Sequence, residues 1–205
     1  MNADVLIGGT IHGYENVDAM LVEHLENKFE CKILNPFELA PNWVPARLVI
    51  AYTCLVPDGD WSIILRNAVE SGTSHLVALH LAAVHKPLQD DPTETRTFCA
   101  ISDLIGASFT RHDPYGPLKV VTVSDGPGHG MRLPSIQTED EPYEYKIIAA
   151  DLNIHQMRDG EPFTWSRMVG NGRVFYTGLG HDKVTLANPE FGNLLRLAAS
   201  WASEG

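Results

Sequence analysis

The chain has 205 residues, of which 44% are hydrophobic and 20% are charged, proportions that exclude disordered, collagen-like and disulfide-stapled classes and favour one domain spanning 1–205. The formal net charge of −11 argues against binding to nucleic acid or to anionic membranes, because both carry negative charge. The sequence contains no signal-peptide pattern, no apolar run of about 18 residues and no metal-type cysteine spacing, which predicts a cytoplasmic protein without a membrane span.

Strands and helices alternate in the first part of the chain. The predicted strands, all with apolar centres, are residues 3–9, 31–36, 47–53 and 75–80. A helix is predicted at 15–28, and a second one, with Asp60 as its cap, ends before Gly72, a residue typical of helix ends. Alternation of this kind, with strands that are apolar throughout, predicts a parallel sheet covered on both faces.

The rest of the chain divides into an irregular part and a regular part. Residues 84–145 are rich in Pro, Gly and Asp, and this segment is predicted to be an elaboration on the sheet with one strand at 118–123. Further strands are predicted at 145–152 and 172–180. The last helix follows the pair Asn188–Pro189, a typical N-cap followed by proline at the first helical position.

Histidines follow three of the predicted strands. They are His12, His80 and His181. Ligands of open α/β sheets bind at the carboxyl ends of parallel strands, so these histidines are expected to meet at one edge. The plain alternative is that each is an ordinary loop or core residue, which is the interpretation we adopt for His24, His85 and His155.

His80 occupies a special position in this pattern. Small residues, Ala78 and Ala82, lie two positions before and after it. A sharp strand-to-helix turn needs such neighbours, as in the nucleophile elbow, where the central residue has a strained backbone. Here the central residue is histidine rather than serine or cysteine. Alternatively, the two alanines are ordinary core residues.

Three consecutive carboxylates, Glu139, Asp140 and Glu141, precede Tyr143 in the irregular segment. The triplet is either a solvated loop or a rigid site loop. Two histidines with one carboxylate suit a divalent ion such as zinc, and the same groups could perform acid–base chemistry without metal. Neither a dinucleotide fingerprint nor a Walker A motif is present, so no nucleotide cofactor is predicted.

Four segments together resemble the ThuA-like (trehalose utilisation) domain family. They are GGTIHGYEN at 8–16, VESGTSHLVALHLAA at 69–83, TEDEPYEY at 138–145 and GNGRVFYTGLGHDKVTLANPEFGNLLRLAASWA at 170–202. The last is the most specific, with the pattern G-R-V-F-Y-x-x-L-G-H-D, then N-P-x-F and W-A. The resemblance extends over nearly the whole chain.

This resemblance implies a flavodoxin-like three-layer α/β/α sandwich with a mostly parallel sheet, in the class I glutamine-amidotransferase-like superfamily. Amidotransferases of that superfamily carry cysteine at the elbow and a histidine late in the chain. In this sequence His80 takes the elbow position and His181 resembles the late histidine. Without the thiol nucleophile, glutamine hydrolysis is not expected.

The sequence therefore suggests an enzyme that acts on a sugar or keto-sugar by hydrolase, isomerase or lyase chemistry. His80 and His181 are expected to be metal ligands or an acid–base pair, and Glu141 to be the third ligand or the base. His12, Tyr143 and Asp182 are expected to bind the substrate.

Two other functions stay open at this point. The chain could be a non-catalytic sugar-binding or regulatory module, or a structural protein that works as an oligomer. The expected partner is a small sugar-like molecule, with no nucleic acid and no membrane, and a homo-oligomer is compatible with all three functions.

Overall fold

The computed structural model describes residues 1–9, 16–54, 59–84 and 100–204. Its strands are β1 (Asn2–Gly9), β2 (Glu30–Leu34), β3 (Leu48–Cys54), β4 (His75–Leu79), β5 (Ala107–His112), β6 (Gly116–Thr122), β7 (Ile136–Asp140), β8 (Tyr143–Ile147), β9 (Asn153–Arg158), β10 (Glu161–Val169) and β11 (Gly172–Thr177). Its α-helices are α1 (Val17–Leu25), α2 (Asp60–Ser71), α3 (Ala100–Ile105), α4 (Lys183–Leu186) and α5 (Pro189–Ser203). Short 3-10 helices occupy Pro36–Glu38 and His80–Ala83.

Nine of the described strands form one sheet in the order β2-β1-β3-β4-β11-β10-β9-β6-β7. The strands from β2 to β11 pair in parallel and are called the parallel half. The strands from β10 to β7 pair antiparallel and are called the antiparallel half. Strands β5 and β8 form a separate two-stranded antiparallel sheet.

Apolar side chains cover both faces of the parallel half. On one face α1 and α5 pack over a core that includes Leu21, Val77 and Phe191. On the other face α2 and α3 pack over a core that includes Leu65 and Leu76. Because Leu76 and Val77 are adjacent in β4, their opposite directions follow from the two-residue period of a strand.

The prediction of an α/β fold on a large sheet is confirmed, but the sheet is mixed, with its parallel strands on one side and its antiparallel strands on the other. The ends marked by Gly72 and Asn188 were also predicted correctly, whereas Asp60, the predicted cap, is the first helical residue after Gly59, and the helix predicted at 15–28 ends at Leu25. Gly72 ends α2 in the left-handed conformation with φ of 79°, and the Asn188 side chain caps α5 through the Glu190 N–H at 2.9 Å.

The segment 84–145 is more regular than predicted, because its described part holds α3, β5, β6, β7 and the first residues of β8. The strand predicted at 118–123 is β6 and is confirmed, whereas β5 and β7 were missed, because exposed positions interrupt their apolar runs. The strand predicted at 145–152 is β8, which ends at Ile147 in the small sheet. The hairpin of β9 and β10 was missed, although Asp159–Gly160, both at positive φ, is a typical hairpin turn pair.

His12 and His85 from the sequence analysis lie outside the described residues, as does Cys99, one of the three cysteines of the chain. Cys31 and Cys54 both carry thiols. In the described part of the chain, the helices are too short or too polar to cross a membrane.

Candidate functional site

The direction of the strands brings distant segments to one edge of the sheet. β4 and β11 are parallel neighbours, so His80 and His181, which follow them, lie at the same carboxyl edge. Four antiparallel pairings separate β11 from β7, and β7 therefore runs in the direction of β11. Only Val121 and Thr122 of β6 pair with β9, which leaves the rest of the β6–β7 hairpin free to reach α4.

His80 is fully buried and is held in a strained conformation at the turn after β4. Its φ of 35° lies in the left-handed region, which costs a residue other than glycine about 1–3 kcal/mol. Tyr176 donates a hydrogen bond from its hydroxyl to the His80 carbonyl at 3.0 Å, and the Tyr143 ring stacks on the imidazole at 4.0 Å. The strained elbow predicted at His80 is confirmed.

The ring orientation of His80 determines which nitrogen is basic. Nδ1 lies 2.6 Å from the carbonyl oxygen of Gly178. A carbonyl can only accept, so Nδ1 donates its hydrogen and the neutral ring has its lone pair on Nε2. That nitrogen lies 3.6 Å from Oε2 of Glu141.

Glu141 lies among three imidazoles. Its Oε2 is 3.1 Å from Nδ1 of His181, and its Oε1 is 3.8 Å from Nδ1 of His112. Burial raises the pKa of Glu141, but the facing imidazoles of His80, His181 and His112 outweigh burial and lower the pKa to about 2. Glu141 is therefore a carboxylate at neutral pH.

Asp140 fixes the turn that carries His181. It is fully buried, and its Oδ2 accepts hydrogen bonds from the Gly180 N–H at 2.9 Å and from the Thr185 hydroxyl at 2.7 Å. From the other side, Tyr52 donates its hydroxyl to the Gly180 carbonyl at 2.8 Å. Charged hydrogen bonds of this kind contribute about 1.5–3 kcal/mol each, so Asp140 links β7 firmly to the end of β11.

Gly178 lets the end of β11 pass close to the aromatic side chains beneath it. A Cβ at this position would lie 2.8 Å from the Phe163 ring and would also collide with the Tyr145 hydroxyl. The absence of a side chain therefore places the Gly178 carbonyl where it accepts the hydrogen of His80.

The outer wall of the site comes from β5 and the turn after it. His112 and Tyr115 are 38% and 39% exposed, whereas Glu141 is 13% exposed. Tyr115 donates its hydroxyl to Oδ2 of Asp182 at 3.1 Å, and its ring centre is 5.2 Å from that of His181. Burial and the bond to Asp182 raise the pKa of Tyr115 to about 12, so its hydroxyl stays protonated.

The structure brings together three of the predicted site residues. Ligand atoms of His80, Glu141 and His181 all lie within 4.8 Å of one another, and the ring centres of His80 and His181 are 5.4 Å apart. The predicted convergence of these three residues is therefore confirmed, whereas His12 lies outside the described residues.

The other two predicted substrate-binding residues have structural contacts. Tyr143 is buried behind His80, and burial, the largest cause, raises its pKa above the usual range. Asp182 caps α4 by accepting the Val184 N–H at 2.8 Å. A role for either residue in substrate binding stays a prediction.

Sequence analysis missed the residues that hold the site rather than form it. Tyr52 and Tyr176 come from the apolar strands β3 and β11, where an aromatic residue is expected for packing alone. His112 and Tyr115 flank the polar turn Asp113–Pro114, a signal of a loop but not of a site. His155 is a core histidine, as predicted, with bonds to the Asp125 carbonyl at 2.8 Å and the Ser166 hydroxyl at 2.8 Å.

A cleft of about 760 Å³ lies elsewhere, at the amino ends of β1 and β2, and is lined by residues that include Asp4 and Arg47. Its buried carboxylate is already satisfied. Oδ2 of Asp4 accepts from the Trp43 indole at 3.0 Å and from the Ala46 N–H at 2.9 Å. These bonds give Asp4 a structural role at the start of β1.

Comparison with known proteins identifies a family. The model of the family ThuA, described as trehalose utilisation, matches residues 48–202. No curated protein sequence is significantly similar to this chain.

Several solved structures share the fold. A ThuA-like protein from Parabacteroides merdae has a TM-score of 0.80 at 16% identity, covering 100% of this chain and 90% of that one. A ThuA-like protein from Bacteroides uniformis has a TM-score of 0.70 at 14% identity, covering 97% and 89%. A cold-adapted β-galactosidase from Rahnella sp. R3 has a TM-score of 0.65 at 14% identity, covering 94% of this chain and 30% of that one.

Proposed function

Because the chain belongs to the ThuA (trehalose utilisation) family, we propose that it is an enzyme of carbohydrate metabolism that acts on a sugar or keto-sugar at His80, Glu141 and His181. One observation carries the proposal: a strained, buried histidine presents its basic nitrogen to an ionised carboxylate and a second histidine. Strain at a clustered site of titratable groups is typical of function. The flavodoxin-like three-layer arrangement belongs to the same proposal, supported by helices on both faces of the parallel half.

These groups favour proton transfer at a hydroxyl or beside a carbonyl. His80 can accept a proton at Nε2, and His181 can return it on the other side of a small ligand. Glu141, with a pKa of about 2, stays ionised at neutral pH and stabilises the charged imidazole. An isomerase or lyase reaction on a keto-sugar needs these proton movements, and a hydrolase reaction needs them at a leaving oxygen.

Two other mechanisms receive less support from the side chains. Glycoside hydrolysis by two carboxyl groups requires one that is protonated near neutral pH, whereas Glu141 is ionised and Asp140 is occupied by backbone and Thr185 donors. Glutamine hydrolysis requires a thiol at the elbow, and that position is His80.

The exposed side of the cluster offers hydrogen-bonding groups for a polyhydroxylated ligand. The Tyr115 hydroxyl, the His112 ring and the Asp182 carboxylate all lie there. Sugars present alternating donors and acceptors, which suits a wall of this mixed character. No part of this wall carries the cationic cluster that nucleic acids require.

The test is a panel of disaccharides, monosaccharides and their keto forms, incubated with purified protein and followed by chromatography and NMR. Glu141→Gln and His181→Gln are expected to lose at least about 100-fold in kcat, the range expected for a general acid or base. Glu139→Gln is the matched control, since it removes the same charge two residues away at an exposed position. Wild-type activity in all three variants would reject this site.

A sugar-binding or regulatory module is the second candidate. It is supported by the β-galactosidase from Rahnella sp. R3, in which a domain of this fold makes up 30% of the chain. This candidate predicts saturable binding of a sugar in calorimetry with no product on the same panel. The cytoplasmic location, the absence of a membrane partner and a homo-oligomeric state stay predictions.

A further inference from the structure

We propose that His80, Glu141 and His181 bind a divalent transition ion of the zinc class, with a fourth position open to the ligand. This inference deepens the proposed function and rests on the same site. It requires donor atoms at suitable distances, correct tautomers, a fixed frame and access to the remaining position.

The distances fit a small ion with nitrogen and oxygen ligands. Zinc bonds of about 2.0–2.1 Å in a tetrahedron separate neighbouring donor atoms by about 3.3 Å. Oε2 of Glu141 lies 3.1 Å from Nδ1 of His181 and 3.6 Å from Nε2 of His80, and all three ligand atoms lie within 4.8 Å of one another. Small rotations of the Glu141 and His181 side chains are enough to surround an ion.

The tautomer of His80 is already suitable for a ligand. Histidines that bind metals usually donate the other ring N–H to a carbonyl or carboxylate, which orients the ring and increases its basicity. The Gly178 carbonyl accepts from Nδ1 at 2.6 Å, leaving Nε2 for the ion. The buried Asp140 carboxylate, with its Oδ1 3.8 Å from the same Nδ1, adds negative charge behind the ring.

The frame around the ligands is rigid. The strained backbone of His80 is held by Tyr176 and Tyr143, and the turn of His181 is held by Asp140 and Tyr52. A site whose ligands are fixed before binding loses less entropy when the ion arrives.

The donor set selects the class of ion. Two imidazoles and one carboxylate match catalytic zinc sites with an open fourth position. Mg²⁺ and Ca²⁺ prefer sites made of oxygen atoms, which this cluster does not provide. When bound, such an ion supplies Lewis acidity toward an oxygen of the ligand.

The open position of the ion is reached from the side of the outer wall. His112 and Tyr115 form the exposed side of the cluster. Nδ1 of His112 lies 2.9 Å from the Asp113 carbonyl oxygen, and this bond orients the ring at the edge of the cluster.

The experiment measures metal binding directly. The protein is stripped with a chelator and titrated with Zn²⁺ by calorimetry, and with Co²⁺ by visible absorption, which reports coordination by nitrogen and oxygen. We expect one equivalent of each ion to bind, and no binding of Mg²⁺ or Ca²⁺ in the same range. Absence of Zn²⁺ and Co²⁺ binding by the folded protein overturns the proposal.

Variants locate the ion. Glu141→Gln and His181→Gln should weaken Zn²⁺ binding by at least about 100-fold, since even outer partners of metal ligands are worth 10–100-fold. Glu139→Gln and His129→Gln, at exposed positions, should bind like the wild type. Wild-type affinity in both ligand variants overturns the proposal, and circular dichroism confirms that each variant is folded.

The outcomes also separate this inference from the proposed function. Zinc binding that depends on Glu141 and His181, without turnover of any sugar, supports the metal site and rejects the enzymatic function. Sugar turnover by chelator-treated protein that binds no Zn²⁺ rejects the metal site and leaves the acid–base function.

Discussion

The two halves of the sheet differ in burial, and the candidate site lies where they meet. Every residue of β3 and β4 in the parallel half is buried, whereas β6 in the antiparallel half alternates between buried and exposed positions. The parallel half supplies the rigid residues His80 and His181, and the chain beyond β7 supplies Glu141. Neither half of the sheet therefore supplies all three residues of the candidate site.

Besides the direct pairing of β10 with β11, a few side-chain contacts hold together the segments that carry the site. The Asp140 carboxylate binds the Gly180–His181 turn, and the hydroxyl of Tyr145, from β8 of the small sheet, lies 3.0 Å from that of Tyr176 in β11. Changes at these contacts should affect both stability and the site, while changes within one half should affect stability alone.

The largest effect is expected for Gly178→Ala. The new methyl group collides with Phe163 and Tyr145, and overpacking of this kind costs about 3 kcal/mol. Urea denaturation measures the loss of stability. Gly116→Ala is the control, because its nearest neighbour is the Pro114 carbonyl oxygen at 4.0 Å, and equal stability losses in the two variants would contradict the prediction.

Asp140→Asn should have the next largest effect. The amide keeps the shape but loses the charge. Its nitrogen cannot accept a hydrogen bond, so either the bond from the Glu141 N–H or the bonds from the Gly180 N–H and the Thr185 hydroxyl are lost. We expect a loss of about 2 kcal/mol in urea denaturation, together with reduced activity on the sugar that the panel identifies. Asp113→Asn, an exposed carboxylate in the outer turn, should change stability by less than about 0.5 kcal/mol.

Two helix caps give a sharper comparison. Asp182→Ala removes the cap of α4, and Asn188→Ala removes the cap of α5. Each should cost about 1 kcal/mol. Only Asp182 also contacts Tyr115, so only the Asp182 variant should alter ligand affinity in calorimetry. An equal change in affinity in both variants would contradict a role of the outer wall in ligand binding.

The smallest effect concerns pH and His155, the buried histidine of the antiparallel half. Burial lowers its pKa in the folded protein, while in the unfolded chain it titrates near 6.5. As the pH falls through that value the unfolded state binds the proton first, so stability decreases on acidification.

Urea denaturation at pH 7.5 and 5.5 measures this dependence. His155→Gln should lose part of the difference between the two pH values even though it is less stable overall. The exposed His129→Gln should keep the whole difference. If His155→Gln keeps the whole difference in the free energy of unfolding between the two pH values, other groups cause the pH dependence.

Local signals in the sequence were sufficient for the helices and the buried parallel strands. The apolar stripe before Gly72 predicts α2, and Asn188–Pro189 predicts the start of α5, because capping chemistry acts within a few residues. The apolar runs of β3 and β4 were equally clear, since strands buried on both sides need no alternation. The placement of His80 and His181 at one edge followed from these strands.

The antiparallel half and the completed site were decided by the tertiary structure. Half-exposed strands such as β5 and β7 carry weak periodicity, and their pairing depends on other segments of the chain. Which carboxylate faces the histidines follows from the end of β7. Asp140 is turned into the protein to hold Gly180, and Glu141 is turned toward His181. Local sequence signals identify which residue types follow each strand. The contact between β7 and the turn after β11 decides which of these side chains face one another, because it joins segments distant in the chain.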